Sequence, residues 1–246
     1  MEYKFLLSYV LILIALFYSY RQNLGIEKTL FINSIRAFVQ LFLLGYLLVF
    51  IFKLESPLYM VMILFFMVLF ASYTGQKRVK LSQRGYTVAF LSIFLASFIV
   101  IASLLVAGII TFKPNQIIPV GGMVIGNALN VYTLTVDRMK GEAGNTLDII
   151  ENIIALGGRL SDAFYFIKKN AVKSALIPMM NMLQTVGIIH IPGITTGMLL
   201  AGAEPLQAVS YQLAIMYMMV AVALFTAVFS VNFSYRKIIR TVTEEK

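Results

Sequence analysis

The sequence predicts an all-α integral membrane protein with about seven transmembrane helices, its N-terminus outside and its C-terminus inside, and three observations carry that expectation. First, 60% of the 246 residues are apolar and only 13% charged, about half the charged share of an ordinary soluble domain. Second, the charges are bunched, leaving long uncharged runs, and mean hydropathy is +0.87. Third, the basic residues flank those runs, as Lys and Arg do where they hold loops in the cytoplasm. The net charge of +9 is therefore read as membrane topology and not as a nucleic-acid surface.

Residue types that are scarce exclude several kinds of chemistry. The chain has no Cys, which removes disulfides, thiolate metal sites and cysteine nucleophiles. His190 is the only histidine, which removes His-based metal cages and weighs against a Ser-His-Asp triad. No catalytic residue is nominated and no metal-ligand set is defined. At the N-terminus the uncharged run Phe5 to Tyr20 follows Glu2 and Lys4 and ends at Arg21. It lacks a basic leader and a small-residue cleavage site, so it reads as a retained first span.

A crossing helix needs about 20 residues, and the apolar runs place spans near 4–20, 34–52, 57–75, 86–111, 117–136, 174–190 and 206–231. They are apolar all round, as expected of helices that face lipid or one another, and backbone groups in lipid must be satisfied within the segment. Seven spans put the termini on opposite sides. With the N-terminus outside, segments 21–36, 76–85, 137–173 and 232–246 lie inside and hold 17 Lys and Arg, against Lys4, Lys53 and Lys113 outside. That asymmetry sets the N-out, C-in orientation. Residues 191–205, IPGITTGMLLAGAEP, are too short to cross and return. They are expected to form a short outer or re-entrant element, started by Pro192-Gly193 and ended by Glu204-Pro205.

The long inside segment 137–173 is close to charge-balanced. Asn145 or Thr146 is a possible helix cap, with Asp148 near the helix start. Leu147, Ile150 and Ile154 fall at helical spacing. Gly157 and Gly158 interrupt, and Ser161-Asp162 recaps a second helix through Phe164 and Ile167 to Lys169. The segment is expected to be a helix, a glycine turn and a helix, either a plain amphipathic surface hairpin or a docking element for a cytoplasmic partner.

Glu151, Gly157 and Ile167 stand at the spacing of the coupling motif of ABC-transporter permeases, E-A-A-x3-G-x9-I, which this run, ENIIALGGRLSDAFYFI, resembles. Asn152 and Ile153 replace the two alanines, and no Leu-Pro follows. GGMVIGNALN at 121–130 and IPGITTGMLLAGAEPLQAVSYQ at 191–212 look like signatures of the FetB family, seven-span permease subunits of bacterial iron-export ABC transporters. A plant aluminium-tolerance half-transporter belongs to the same family. The resemblance covers nearly the whole chain and implies a single permease domain, 1–246, in the cell membrane, exporting a metal ion such as iron. It further implies a coupling surface at Glu151, Gly157, Gly158 and Ile167, a permease homodimer, and a separate cytoplasmic ABC ATPase subunit that binds ATP and Mg. This chain itself carries no G-x-x-x-x-G-K-[ST] phosphate loop and no acidic residue clearly within a span to build a proton relay, so no cofactor is assigned to it.

Polar residues within spans are costly enough to suggest a role. Asn127 and Asn130, three apart, are expected on one helix face beside Gly121, Gly122 and Gly126; they serve as interhelical glue or as amide oxygens lining a cation pathway. Asn181 and Gln184 form a second such pair, next to Met179, Met180 and Met182, with Met216, Met218 and Met219 on the last span. Thioethers suit soft metals and equally fill gaps in packed helices. Thr195, Thr196 and Glu204 belong to the outer element, where an emerging cation would pass. Arg36 and Gln40 begin the second span, where Arg36 can snorkel. Two other readings are a membrane-embedded enzyme of lipid metabolism, which would need clustered acids that Asp137, Glu142, Asp148 and Glu151 do not form, and a secondary carrier, which would need internal repeats.

Overall fold

The structure, a computed structural model, describes residues 7–51, 56–81, 85–189 and 191–244. The expectations attached to Lys4, Lys53, Arg84, His190 and Lys246 fall outside the described residues. Every element described is a helix, and the chain divides into two compact units, Met1–Glu55 and Ser56–Lys246.

The first unit is a helical hairpin of α1 (Tyr9–Arg21) and α2 (Glu27–Ile51). Its turn places Asn23 and Gly25 at positive φ, the region that Asn and Gly tolerate best. Two polar contacts close it: the Ser19 hydroxyl donates to Glu27 Oε1 at 2.7 Å, and Tyr9 Oη lies 2.9 Å from Ser34 Oγ. Arg36 and Gln40 are both exposed on α2. Most of the apolar side chains of α2 are exposed within this unit, the pattern of a helix whose solvent is lipid.

The second unit contains α3 (Pro57–Val79), α4 (Gly85–Val106), α5 (Pro114–Asn145), α6 (Leu147–Ala155), α7 (Leu160–Ala163), α8 (Tyr165–Thr185), α9 (Gly193–Leu200) and α10 (Pro205–Glu244). Pro57 and Pro114 open α3 and α5, positions where the missing N–H costs nothing. At its centre α5 and α10 lie against each other; α4 and α8 pack on both, α3 packs on α5 and α4, and α9 rests on α10. Small residues permit that close approach. Ala89 and Ala96 of α4, Ala128 of α5, and Ala223 and Ala227 of α10 have no exposed surface.

Five helices, α2, α3, α4, α5 and α10, are long and apolar enough to cross a membrane. The other two predicted spans differ, each for a physical reason. In α1 only 13 residues are helical, short of the hydrocarbon thickness. In α8 the helix starts back at Tyr165, so Lys168, Lys169 and Lys173 ride on its first turns, and it stops at Thr185 before Gly187 at φ +79°. The fourth span ends at Val106 rather than 111, where Gly108 at φ +68° turns the chain.

Length sets α5 and α10 apart. At 1.5 Å per residue the 32 residues of α5 and the 40 of α10 reach about 48 and 60 Å, well past a hydrocarbon core of about 30 Å. Their charged ends, from Asp137 on α5 and from Arg236 on α10, therefore continue as helix beyond the apolar layer.

Within the apolar layer most hydroxyls turn back onto their own helix. Ser72, Thr135 and Ser230 each donate to the carbonyl four residues earlier, which satisfies them without a partner helix. Asn127 does the reverse: its Nδ2 donates 2.9 Å to the Met219 carbonyl of α10, tying the two longest helices together. Asn127→Leu is expected to lower the unfolding free energy in detergent by about 0.6–1.7 kcal/mol, the range for such bonds between membrane helices. Asn130→Leu, at an exposed position on the same helix, is expected to leave it unchanged. Thermal unfolding of the two variants in one detergent checks both.

Candidate functional site

The long segment between α5 and α8 folds as a helical knob whose inner side is buried. Thr146 ends α5: its hydroxyl donates to the Glu142 carbonyl at 2.8 Å. Thr146 thus stands where a cap for α6 was expected, but its side chain serves the preceding helix, and Asn145 is still inside α5. On α6, Leu147 and Ile150 are buried while Ile149, Glu151, Asn152 and Ile154 face outward. The predicted stripe is therefore buried at two of its residues, while Ile154, on the same helical face, is exposed at the end of α6.

Both glycines are required by the backbone. Gly157 has φ +85°, its N–H bonds to the Ile154 carbonyl at 3.0 Å, and the Gly158 N–H bonds to the Ile153 carbonyl at 2.9 Å. This is a Schellman ending, with glycine at the left-handed position. A Cβ at Gly158 would sit 2.8 Å from the Ile153 carbonyl oxygen, too close for any other residue without moving backbone. The next helix starts at Leu160, earlier than the Ser161-Asp162 start read from sequence. Asp162 acts from its third position, its Oδ2 accepting the Arg159 N–H at 3.2 Å.

At the α7–α8 junction the knob is pinned to the core. Phe164 is fully buried and Ile167 nearly so, in one apolar cluster with Met139 and Ala143 of α5 and Ile238 and Val242 of α10. The Phe164 ring lies 6.0 Å from that of Tyr235, and Lys168 Nζ sits 4.4 Å over the Tyr235 ring, a cation–π contact. Asn170 Nδ2 donates to Glu142 Oε1 at 2.8 Å. The four residues expected at a coupling surface thus divide by position. Gly157 and Gly158 shape the turn, Ile167 anchors it, and Glu151 is presented outward.

The outward side carries apolar residues that sequence reasoning passed over. Leu156, at the turn, is 89% exposed, and Ile149, Tyr165 and Phe166 are also exposed. They leave the outer side of the knob apolar. Their signal was present in the sequence but diluted in a chain that is apolar everywhere.

Asn127 and Asn130 are not brought together: Asn127 is buried against α10, and Asn130 is exposed on the other side of α5. A spacing of three turns about 60° off a common face, enough here to separate them. Asn181 and Gln184 are both exposed on α8. In the outer element Thr195 is buried on α9, whereas Thr196 and Glu204 are exposed. Met216 and Met218 are buried in the packed core, Met219 is half-buried and Met180 exposed, so the methionines form no single cluster of thioethers. Sequence reasoning also missed Ser92, Tyr132 and Thr226, whose hydroxyls are fully buried and lack the back-bond their neighbours make. Nothing in their spacing marks them. Among the described residues no three His, Cys, Asp or Glu side chains converge to hold a metal.

The likeness of this chain to known proteins extends over the elements just described. Protein ALUMINUM SENSITIVE 3 of Arabidopsis thaliana is 35% identical over 90% of this chain and 81% of its own length. The UPF0014 membrane protein YjkA of Bacillus subtilis is 34% identical over 90% and 89%. The protein of Escherichia coli named "Probable iron export permease protein FetB" is 28% identical over 94% and 89%. No solved structure matches the chain significantly. The multiple apolar helices make it a multi-pass membrane protein, and the match of residues 3–239 to the uncharacterised protein family UPF0014 shows that the chain belongs to that family.

Proposed function

We propose that the chain, residues 1–246 as one permease domain, is the transmembrane subunit of an ABC transporter that exports a metal ion such as iron. The observation that carries this reading is the knob of α6, Gly157-Gly158 and α7. Its inner side is packed onto the ends of α5 and α10, and its outer side presents Glu151 and Leu156. A partner that moves the knob would move the two longest helices with it. The names of two relatives support a metal cargo: one is named a probable iron export permease protein and the other ALUMINUM SENSITIVE 3.

Seven spans with the C-terminus inside remain the favoured topology. The 17 to 3 division of Lys and Arg supports it, with α1 and α8 crossing as short or partly polar helices. The knob then lies in the cytoplasm within reach of a separate ABC ATPase subunit, which holds ATP and Mg. Asn130, Asn181 and Gln184 are amides exposed on span surfaces, and amides facing lipid are unfavourable. A second copy of the chain would cover them, so that they line the pathway between two permeases. Thr195, Thr196 and Glu204 then stand at the outer mouth, and Asn127 supports the wall from within.

Two outcomes follow for a bilayer-reconstituted complex with the ATPase subunit, and a third for cells. Glu151→Ala is expected to leave basal ATP hydrolysis in place and to abolish its stimulation by metal. Gly158→Ala, which adds about 1–3 kcal/mol of overpacking strain at the turn, is expected to lose metal transport while the chain still inserts. Normal metal-stimulated hydrolysis in both variants would defeat the coupling assignment. In cells loaded with iron, deletion of the chain is expected to raise total cellular iron by elemental analysis, and complementation to lower it again. A fall in iron on deletion would reverse the direction of transport.

A further inference from the structure

Where the uncharged runs of α4 and α10 both give way to polar residues, the two helices leave a cavity of about 410 Å³ between them. From Pro205 to Tyr235 α10 carries no charge, and Arg236 and Lys237 are the first. On α4 the uncharged run starts at Gly85. The cavity therefore sits at the boundary between hydrocarbon and headgroups on both of its walls. Thr87, Asn232, Arg236 and Lys237 line its polar end, and Leu91 and Phe233 continue it towards the apolar layer. Leu91 and Phe233 are both exposed at the surface of the bundle.

The charge in this cavity is one-sided. Thr87 belongs to the first turn of α4, where backbone N–H groups lack intrahelical acceptors and the helix dipole is positive. Two cationic side chains face that turn, and none of the described lining residues is acidic. Arg236 is also held in place: its Nε donates to Tyr235 Oη at 3.0 Å, with the guanidinium 5.7 Å from the ring centroid. That contact uses one edge of the guanidinium and leaves its terminal amino groups for an anion, which a planar fork binds well. Hydroxyl, amide and guanidinium donors beside an apolar groove match a phosphodiester with an acyl chain attached.

We infer that this cavity binds the headgroup of an anionic phospholipid, with the phosphate at Thr87, Asn232, Arg236 and Lys237 and an acyl chain along Leu91 and Phe233. The site adjoins the knob through Tyr235, which lines the cavity and stacks near Phe164, but its test uses neither the outer side of the knob nor an ATPase subunit. Because the chain contains no Trp, Leu91→Trp provides a single tryptophan at the groove, and Phe98→Trp, about two turns further along α4, provides a control. Each is reconstituted into phosphatidylcholine vesicles that contain either acyl-brominated phosphatidylglycerol or acyl-brominated phosphatidylcholine at equal mole fraction.

Brominated phosphatidylglycerol is expected to quench the Trp at position 91 more strongly than brominated phosphatidylcholine, and both to quench the Trp at position 98 alike. Arg236→Gln with Lys237→Gln is expected to weaken the preference about fivefold per cation lost, while Arg236→Lys, which keeps the charge, retains most of it. Retention of the Phe98→Trp spectrum in the double variant reports that the bundle is intact. Equal quenching by the two lipids at position 91, or a preference unchanged in the double variant, would overturn the inference. Added inorganic phosphate is expected to leave the preference in place; if it displaces the brominated lipid, the site takes free phosphate and the lipid assignment is wrong.

Discussion

The seam between α5 and α10 holds the second unit together, and its character follows from the solvent around it. In a bilayer the hydrophobic effect offers little reason for one apolar helix to prefer another, so association depends on close packing and a few directed polar contacts. Here the packing comes from residues of little bulk: Ala223 and Ala227 of α10 cluster with Val131 of α5 and Ala175 of α8. The directed contact is the amide of Asn127 on the Met219 carbonyl. With α5 and α10 joined along their length, α4 and α8 have a continuous surface on which to pack.

The same seam links the two ends of the unit. α10 begins beside the short α9 element, and both helices run past the apolar layer to the knob, where Ile238 and Val242 of α10 share a cluster with Leu147, Ile150 and Ile167. The glycine turn makes that knob stiff: Gly157 accepts the left-handed angle, and Gly158 lets the chain pass within contact of Ile153. A stiff turn anchored by a fully buried Phe164 cannot be displaced without displacing what it is anchored to. This mechanical continuity supports the permease reading more than any single polar side chain does, and Tyr235 is its meeting point, touching Phe164, Lys168 and Arg236 together.

Much of this was legible from the sequence because membrane solvent writes a coarse, robust pattern. The uncharged runs located α2, α3, α4, α5 and α10, and the pair Gly157-Gly158 located the turn. What could not be read depends on details that hydropathy averages away. The helix of α8 starts nine residues before its apolar run because nothing at Lys168 or Lys173 breaks a helix; charge sets depth and leaves helicity alone. Asn127 and Asn130 were placed on one face by spacing, yet the structure parts them, since only the position of α10 decides which side of α5 is inside. In a chain that is apolar all round, periodicity carries no information about facing, and the outward Leu156 and the buried Tyr132 look alike on paper.

The absence of Cys from the chain allows the central claim, that an ATPase subunit seats on the knob, to be tested at a single atom. A cysteine at Leu156, the most outward residue of the turn, is treated with a short thiol-reactive photo-cross-linker in membranes that contain the ATPase subunit. The account predicts a covalent adduct between the two polypeptides, with its yield changed by ATP, and no such adduct from a cysteine at Thr196 in the outer element. An adduct from Thr196 but none from Leu156 would contradict both the orientation and the site of coupling.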